Sequence, residues 1–301
     1  MSNILIALFP LIILIVVGYL IKHYRWLSAS FWEDTEKFNY YVLFPALFIY
    51  TLATAQIDFI RMKSVLVVML LVLCIATTVL YMIRYLKKIP SAHFGVHVQS
   101  IVRFNSYVSL ALVAALFHTQ GMTILAILLA VSIPVINVIS IVALSSSHRM
   151  SWLTIVKSVL KNPLIVSCVL GLLMNVLHIP IWQGLLDGLK LLAAASLPLG
   201  LLCVGAALQF HAIKNDVPVL LMDTFARLLA MPILAYWVCS WFDLSLLEMQ
   251  VLVVFFALPT ASASYILTKV LKGDYQLMAA VISLQTVCSA VTLPLVLRWV
   301  G

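Results

Sequence analysis

Apolar residues run along this chain in long unbroken blocks, without the two-residue alternation of a half-buried strand. Blocks close to the ~20 residues that a helix needs to cross a bilayer fall near 4–21, 37–55, 64–84, 98–117, 122–145, 162–180, 186–209, 217–241, 248–270 and 275–298. The pattern predicts an all-α polytopic membrane protein with ten transmembrane helices. The first block is followed, not preceded, by its nearest base, Lys22, and shows no small-residue cleavage site. It therefore reads as a first membrane helix and not as a cleavable signal.

Two blocks carry polar residues where a membrane helix ordinarily has only Leu, Val and Ile. They are Arg103–Ala111, with Asn105, Ser106 and Ser109, and Ala257–Tyr265, with Pro259, Thr260, Ser262 and Ser264. They lie half a chain apart. Carriers built from inverted repeats bind substrate near the bilayer midplane, between helices interrupted at corresponding positions of the two halves. Proline removes an amide donor and clashes with the preceding turn, so Pro259 predicts a break in the ninth span. Hydroxyls and amides can satisfy the backbone groups that a break frees. On the eighth span Asp223 and Arg227 are four residues apart, a spacing that predicts an ion pair, either structural or engaged with a coupling ion.

Composition narrows the class. Hydrophobic residues are 64% of the 301 and charged ones 9%, against roughly 45–50% and 25% in soluble domains. The formal charge of +8 comes from bases in the short connections, where they act as topology signals and not as a nucleic-acid surface. Twelve bases follow the odd-numbered spans: Lys22, Arg25, Lys37, Arg84, Lys87, Lys88, Arg149, Lys157, Lys161, Lys214, Lys269 and Lys272. Only Arg61, Lys63 and Arg298 lie on the other side. Excess Lys and Arg mark the cytoplasmic side, which predicts a bacterial inner-membrane protein with both termini periplasmic. The five cysteines lie within apolar runs at no metal or disulfide spacing. His93 and His97 are four apart but lack an acidic third ligand, so no metal site is expected.

The halves repeat. Pro10 and Gly18 match Pro163 and Gly171, and Pro45 matches Pro198, all at an offset of 153 positions. An odd number of spans per half inverts the second half, giving a first repeat over 1–145 and an inverted one over 146–301.

The segment Lys161-Asn-Pro-Leu-Ile with Gly171-Leu-Leu-Met-Asn175 opens an ordered series of motifs. It continues with Ala193-Ala-Ala-Ser-Leu-Pro198, Gly205-Ala-Ala-Leu208, Arg227 with Pro232, Ala257-Leu-Pro259 with Tyr265, and Thr292-Leu-Pro294. The chain resembles, over essentially its whole length, the auxin efflux carrier family of plant auxin exporters and bacterial permeases for malonate and similar acids. The resemblance implies the fold of the bile-acid and sodium/proton antiporter type of carrier. Spans 1, 2, 6 and 7 would form a scaffold, spans 3–5 and 8–10 a moving domain, and spans 4 and 9 would break and cross; a homodimer is implied too. Family members carry Gly-Leu-Pro where this chain has Ser109-Leu110-Ala111, which predicts a less sharply broken fourth span.

The expected function is secondary active transport of a small organic anion, a carboxylate such as malonate, by an elevator motion. The alternative is a channel or a non-transporting sensor that binds a small carboxylate. Half-helix N-termini favour carboxylates, and the spans offer almost no carboxylate to hold a cation. Expected substrate contacts are Asn105, Ser106, Ser109, Pro259, Thr260, Ser262, Tyr265 and Gln285. Each also has a plainer reading: a helix-packing amide for Asn105, small packing residues for the serines, an ordinary aromatic for Tyr265. Arg103 serves either as a topology base or to draw the anion inward. No P-loop, catalytic constellation or cofactor motif is present; proton or sodium coupling is compatible with the pattern.

Overall fold

The computed structural model describes residues 2–144, 162–210 and 217–301, and among these every regular element is helical. In chain order they are α1 (Ser2–His23), α2 (Ala29–Phe38), α3 (Phe44–Ala53), α4 (Phe59–Lys87), α5 (Ser91–Val102), α6 (Ser106–Leu144), α7 (Pro163–Val176), α8 (Gln183–Ala207), α9 (Val217–Phe225), α10 (Met231–Cys239), α11 (Leu246–Ala257), α12 (Ala263–Val270) and α13 (Tyr275–Val300). Among the described residues six helical segments are long and apolar enough to cross a membrane: Ile6–His23, Arg61–Lys87, Ser91–Leu144, Gln183–Ala207, Val217–Cys239 and Tyr275–Val300. The topology bases Arg149, Lys157, Lys161 and Lys214 lie outside the described residues.

Local chemistry explains the ends and interruptions. A π-helical turn over Asn39–Leu43 joins α2 to α3, and another over Ala226–Ala230 joins α9 to α10. Each is followed, at the second residue of the next helix, by a proline, Pro45 or Pro232. A proline cannot donate to the turn before it, and a widened turn absorbs the missing bond without ending the helix. Besides α4, which ends before Lys88 (53°), three helices stop on a basic residue at positive φ: Arg25 (56°), His178 (49°) and Lys272 (57°). Paired reverse bonds close them, for example His178 N to Asn175 O and Ile179 N to Met174 O. The bases sit where the helix dipole favours positive charge.

His118, at φ 49° and ψ −146°, turns the chain inside α6 and divides it into helices over 106–117 and 119–144. These correspond to two of the apolar blocks read from the sequence.

The helices gather into two packed groups. In one, α1 lies against α8, and α3 against α7 and α8. Contact is backbone-close: a Cβ on Gly18 would lie 2.1 Å from Leu202 O, and one on Gly205 would lie 1.8 Å from Ile15 O. Small residues that let backbones approach drive helix association in lipid, where apolar burial gains little. In the other group α4, α5, α6, α10, α11 and α13 surround a buried core including Val98, Leu110, Leu128, Val251 and Phe256. Outward-facing side chains are apolar, Ile6, Leu191 and Val291 among them, as a lipid-facing surface requires.

Candidate functional site

Two interruptions meet inside the second group. Between α5 and α6 the chain leaves the helix at Arg103 (φ −79°, ψ 149°) and re-enters at Ser106. Between α11 and α12 it leaves at Leu258 (φ −69°, ψ 147°) and re-enters at Ala263. The Asn105 amide donates to Pro259 O at 2.8 Å, so the two breaks touch backbone to backbone. The helix expected as the fourth span is thus fully interrupted between Val102 and Ser106. The absent proline leaves it no less sharp, because the break lies at 103–105 while Ala111 sits well inside α6.

Every polar group freed by the breaks needs a partner in this apolar setting. Arg227, with none of its surface exposed, supplies three: Nε donates to Leu258 O at 2.6 Å, Nη1 to Ile101 O at 2.6 Å and Nη2 to Phe255 O at 3.3 Å. One guanidinium therefore caps the carbonyl ends of both half-helices, where cations are favoured. This corrects the expected ion pair with Asp223. Arg227 is spent on backbone, and Asp223 instead faces His97, whose Nδ1 lies 2.9 and 3.0 Å from the two carboxylate oxygens. The i,i+4 spacing does not bring the pair together, because Arg227 lies within the π turn over Ala226–Ala230 and the carbonyl ends compete for its donors.

Gln285 is the other junction. Its Oε1 accepts from Thr260 N at 3.0 Å, and its Nε2 donates to Ser100 O and Asp223 O at 3.2 and 3.3 Å. Thr260 Oγ1 donates to Gln99 O at 3.0 Å, and Gln99 Nε2 to Thr268 Oγ1 at 2.7 Å. Gln99 and His97 were not singled out as site residues from the sequence. Their signal was present as polar side chains inside an apolar run, which in a membrane marks function by default.

Next to the breaks lies a cavity of about 500 Å³, lined by Asn105, Ser106, Tyr107 and Ser262 on the broken helices and by Tyr40 and Phe44 opposite, with Glu33, Glu36 and Lys37 also on its wall. Asn105 caps α6: its Oδ1 accepts from Tyr107 N and Val108 N at 3.0 and 3.2 Å. Its Nδ2 is buried and without a partner among the described residues. The Ser106 amide likewise has no partner among them. A smaller hollow of about 220 Å³ adjoins, sharing Ser106 and Ala261 and reaching Arg103, whose guanidinium donates to Gln99 Oε1 and Asn137 Oδ1.

Of the expected contacts, then, Asn105, Ser106 and Ser262 line the cavity, while Pro259, Thr260 and Gln285 are buried behind it and hold the breaks in place. Ser109 turns its hydroxyl back to Ser106 O at 2.8 Å, and Tyr265 packs edge-on against Tyr275. Neither lines the cavity. Asn175 stands apart, donating to Leu52 O, Ala53 O and Ala55 O at the end of α3.

Two breaks that meet within apolar helices, in a chain with six helical segments among the described residues long and apolar enough to cross a membrane, are those of a polytopic membrane protein. The chain belongs to the membrane transport protein family, that of the auxin efflux carriers, which it matches over residues 3–297. No curated protein matches it.

Proposed function

We propose that the protein is a secondary carrier of a small organic anion, a carboxylate with malonate the first to test. One observation carries this reading: Asn105, whose buried Nδ2 has no partner among the described residues, lines the ~500 Å³ cavity beside Ser106, whose N-terminal helix amide likewise has none among them. Those donors, at the positive end of a helix dipole, suit a carboxylate and offer nothing to a cation. Arg103 adjoins as a further positive charge, while Glu33 and Glu36 temper the attraction at the mouth.

The carrier moves as an elevator. Spans 1, 2, 6 and 7 form the scaffold, and spans 3–5 and 8–10 the moving domain, within ten spans arranged as inverted repeats over 1–145 and 146–301. In support, α5 and α11 are both 12 residues long, with starts (Ser91, Leu246) and ends (Val102, Ala257) each 155 positions apart. Gly18 of span 1 packs on span 7 and Gly171 of span 6 packs on span 2, the exchange that a two-fold relation between halves requires. The charge bias puts both termini in the periplasm of a bacterial inner membrane, and a homodimer through the scaffold completes the reading.

Purified protein screened by thermal shift against short mono- and dicarboxylates tests the anion, with stabilisation by malonate or a close analogue expected. Saturable counterflow of that anion in liposomes separates a carrier from a channel or a sensor. No stabilisation by any carboxylate would overturn the reading.

A further inference from the structure

We propose that the His97–Asp223 pair is a proton-binding site through which proton uptake strengthens anion binding at the crossed breaks. This rests on the carrier reading above. Among the described residues the buried charged or titratable polar side chains are His97, Asp223, Arg227 and Glu248. Arg227 is committed to three carbonyls and Glu248 to the cap at Ser245. The His97–Asp223 pair is the one that the helix breaks do not consume.

Its chemistry suits a proton. An ionised carboxylate only accepts hydrogen bonds, so Nδ1 carries the hydrogen that faces Asp223, and Nε2 is where the neutral imidazole gains and loses a proton. Nε2 has no protein partner among the described residues, and about 11% of the His97 side chain is accessible. The imidazole faces both carboxylate oxygens within 3.0 Å. With His97 neutral, Asp223 and Arg227 offset each other; one proton leaves the buried cluster positive.

That charge is wired to the site. Asp223 O accepts from Gln285, Gln285 accepts from Thr260 N, and Pro259 beside it accepts from Asn105 N. His97 O also accepts from Ser100 Oγ, one residue from the Ile101 carbonyl held by Arg227. A proton here favours an anion at the breaks, and by reciprocity the anion favours the proton.

The other titratable groups on packed elements are separately placed. On α5 itself His93 lies 4.0 Å from Asp274 and is half exposed. On α4, Tyr81 and Arg84 face Phe94, with Lys87 beyond. On α12, Lys269 lies over the ring of Tyr275 of α13, which Tyr265 meets edge-on. On α6, Tyr107 packs on Phe44, and His118 marks the far turn.

The test uses the full chain in liposomes with an inward proton gradient kept in the range where malonate is fully ionised, malonate outside and a pH-sensitive dye inside. Wild type is expected to accumulate malonate and acidify the lumen. His97→Gln is expected to keep malonate counterflow at equal pH but to lose accumulation and acidification by roughly tenfold or more. Retained acidification in His97→Gln overturns the proposal. If wild type moves no malonate, the anion reading is at fault and the proton site is judged alone, by ¹⁵N-histidine NMR. The resonance missing from His97→Gln must then change on acidification across the range open to an imidazole, and change differently in Asp223→Asn. A resonance constant across that range overturns the site independently of any substrate.

Discussion

At the scale of single residues, Asn105 does two jobs with the two ends of one amide: Oδ1 caps α6, and Nδ2 is a buried donor without a partner among the described residues, in a residue that lines the cavity. Substitutions can separate them. Asn105→Asp keeps the acceptor that caps the helix and should fold, yet it replaces the donor with a negative oxygen. Anion affinity measured by thermal shift should fall by at least about tenfold, in line with ~1–3 kcal/mol for an unpaired buried group. Ser109→Ala, whose hydroxyl only bonds its own helix, should leave affinity unchanged, and a large loss there would displace the site along α6. Arg227 is a different case. Arg227→Met strands carbonyls of Ile101, Phe255 and Leu258 and should cost at least about 2 kcal/mol in detergent unfolding. Arg227→Lys should restore little, since one ammonium cannot copy a planar fork.

At the scale of the element, the break in the fourth span obeys its own chemistry and not the family's proline. Ser106 is the first residue of α6 and its amide is unpaired, so Ser106→Pro meets the condition under which proline is tolerated. That variant should fold but bind the anion weakly, having lost an amide from the site. Ala111→Pro, by contrast, removes an interior helical bond and should cost about 3 kcal/mol or more. Comparing yields of folded protein with anion-induced thermal shifts decides between them; equal folding of both would place the break elsewhere.

At the scale of the whole molecule, the cavity is bounded by Glu33, Glu36 and Lys37 of α2, on the side that we propose, from the distribution of bases, to be cytoplasmic. A cysteine at Ser262 should therefore react with a membrane-impermeant thiol reagent from the cytoplasmic face in this conformation, once the native cysteines are replaced. Labelling solely from the periplasm would reverse the orientation. Glu36→Gln removes a negative charge from the mouth and should tighten anion binding in the same shift assay; weaker binding would mean that the carboxylate helps to hold substrate.

The one-dimensional pattern of this chain determined whatever depends on local or averaged properties. Block length and composition specify a helical membrane protein, and the His118 turn falls between two blocks already separate in the sequence. Pro259 and the Asn105 cluster mark the breaks because a missing donor and competing side-chain groups are local causes. Partner choice is not local. The spacing of Asp223 and Arg227 permits a pair on an ideal helix, but a π turn and the carbonyl ends of two half-helices, distant in sequence, redirect the guanidinium. His97 finds Asp223 across 126 positions, and Gln285 finds Thr260 across 25. Only the tertiary structure decided which donor meets which acceptor, since in an apolar interior every buried polar group takes the partner that packing brings within reach.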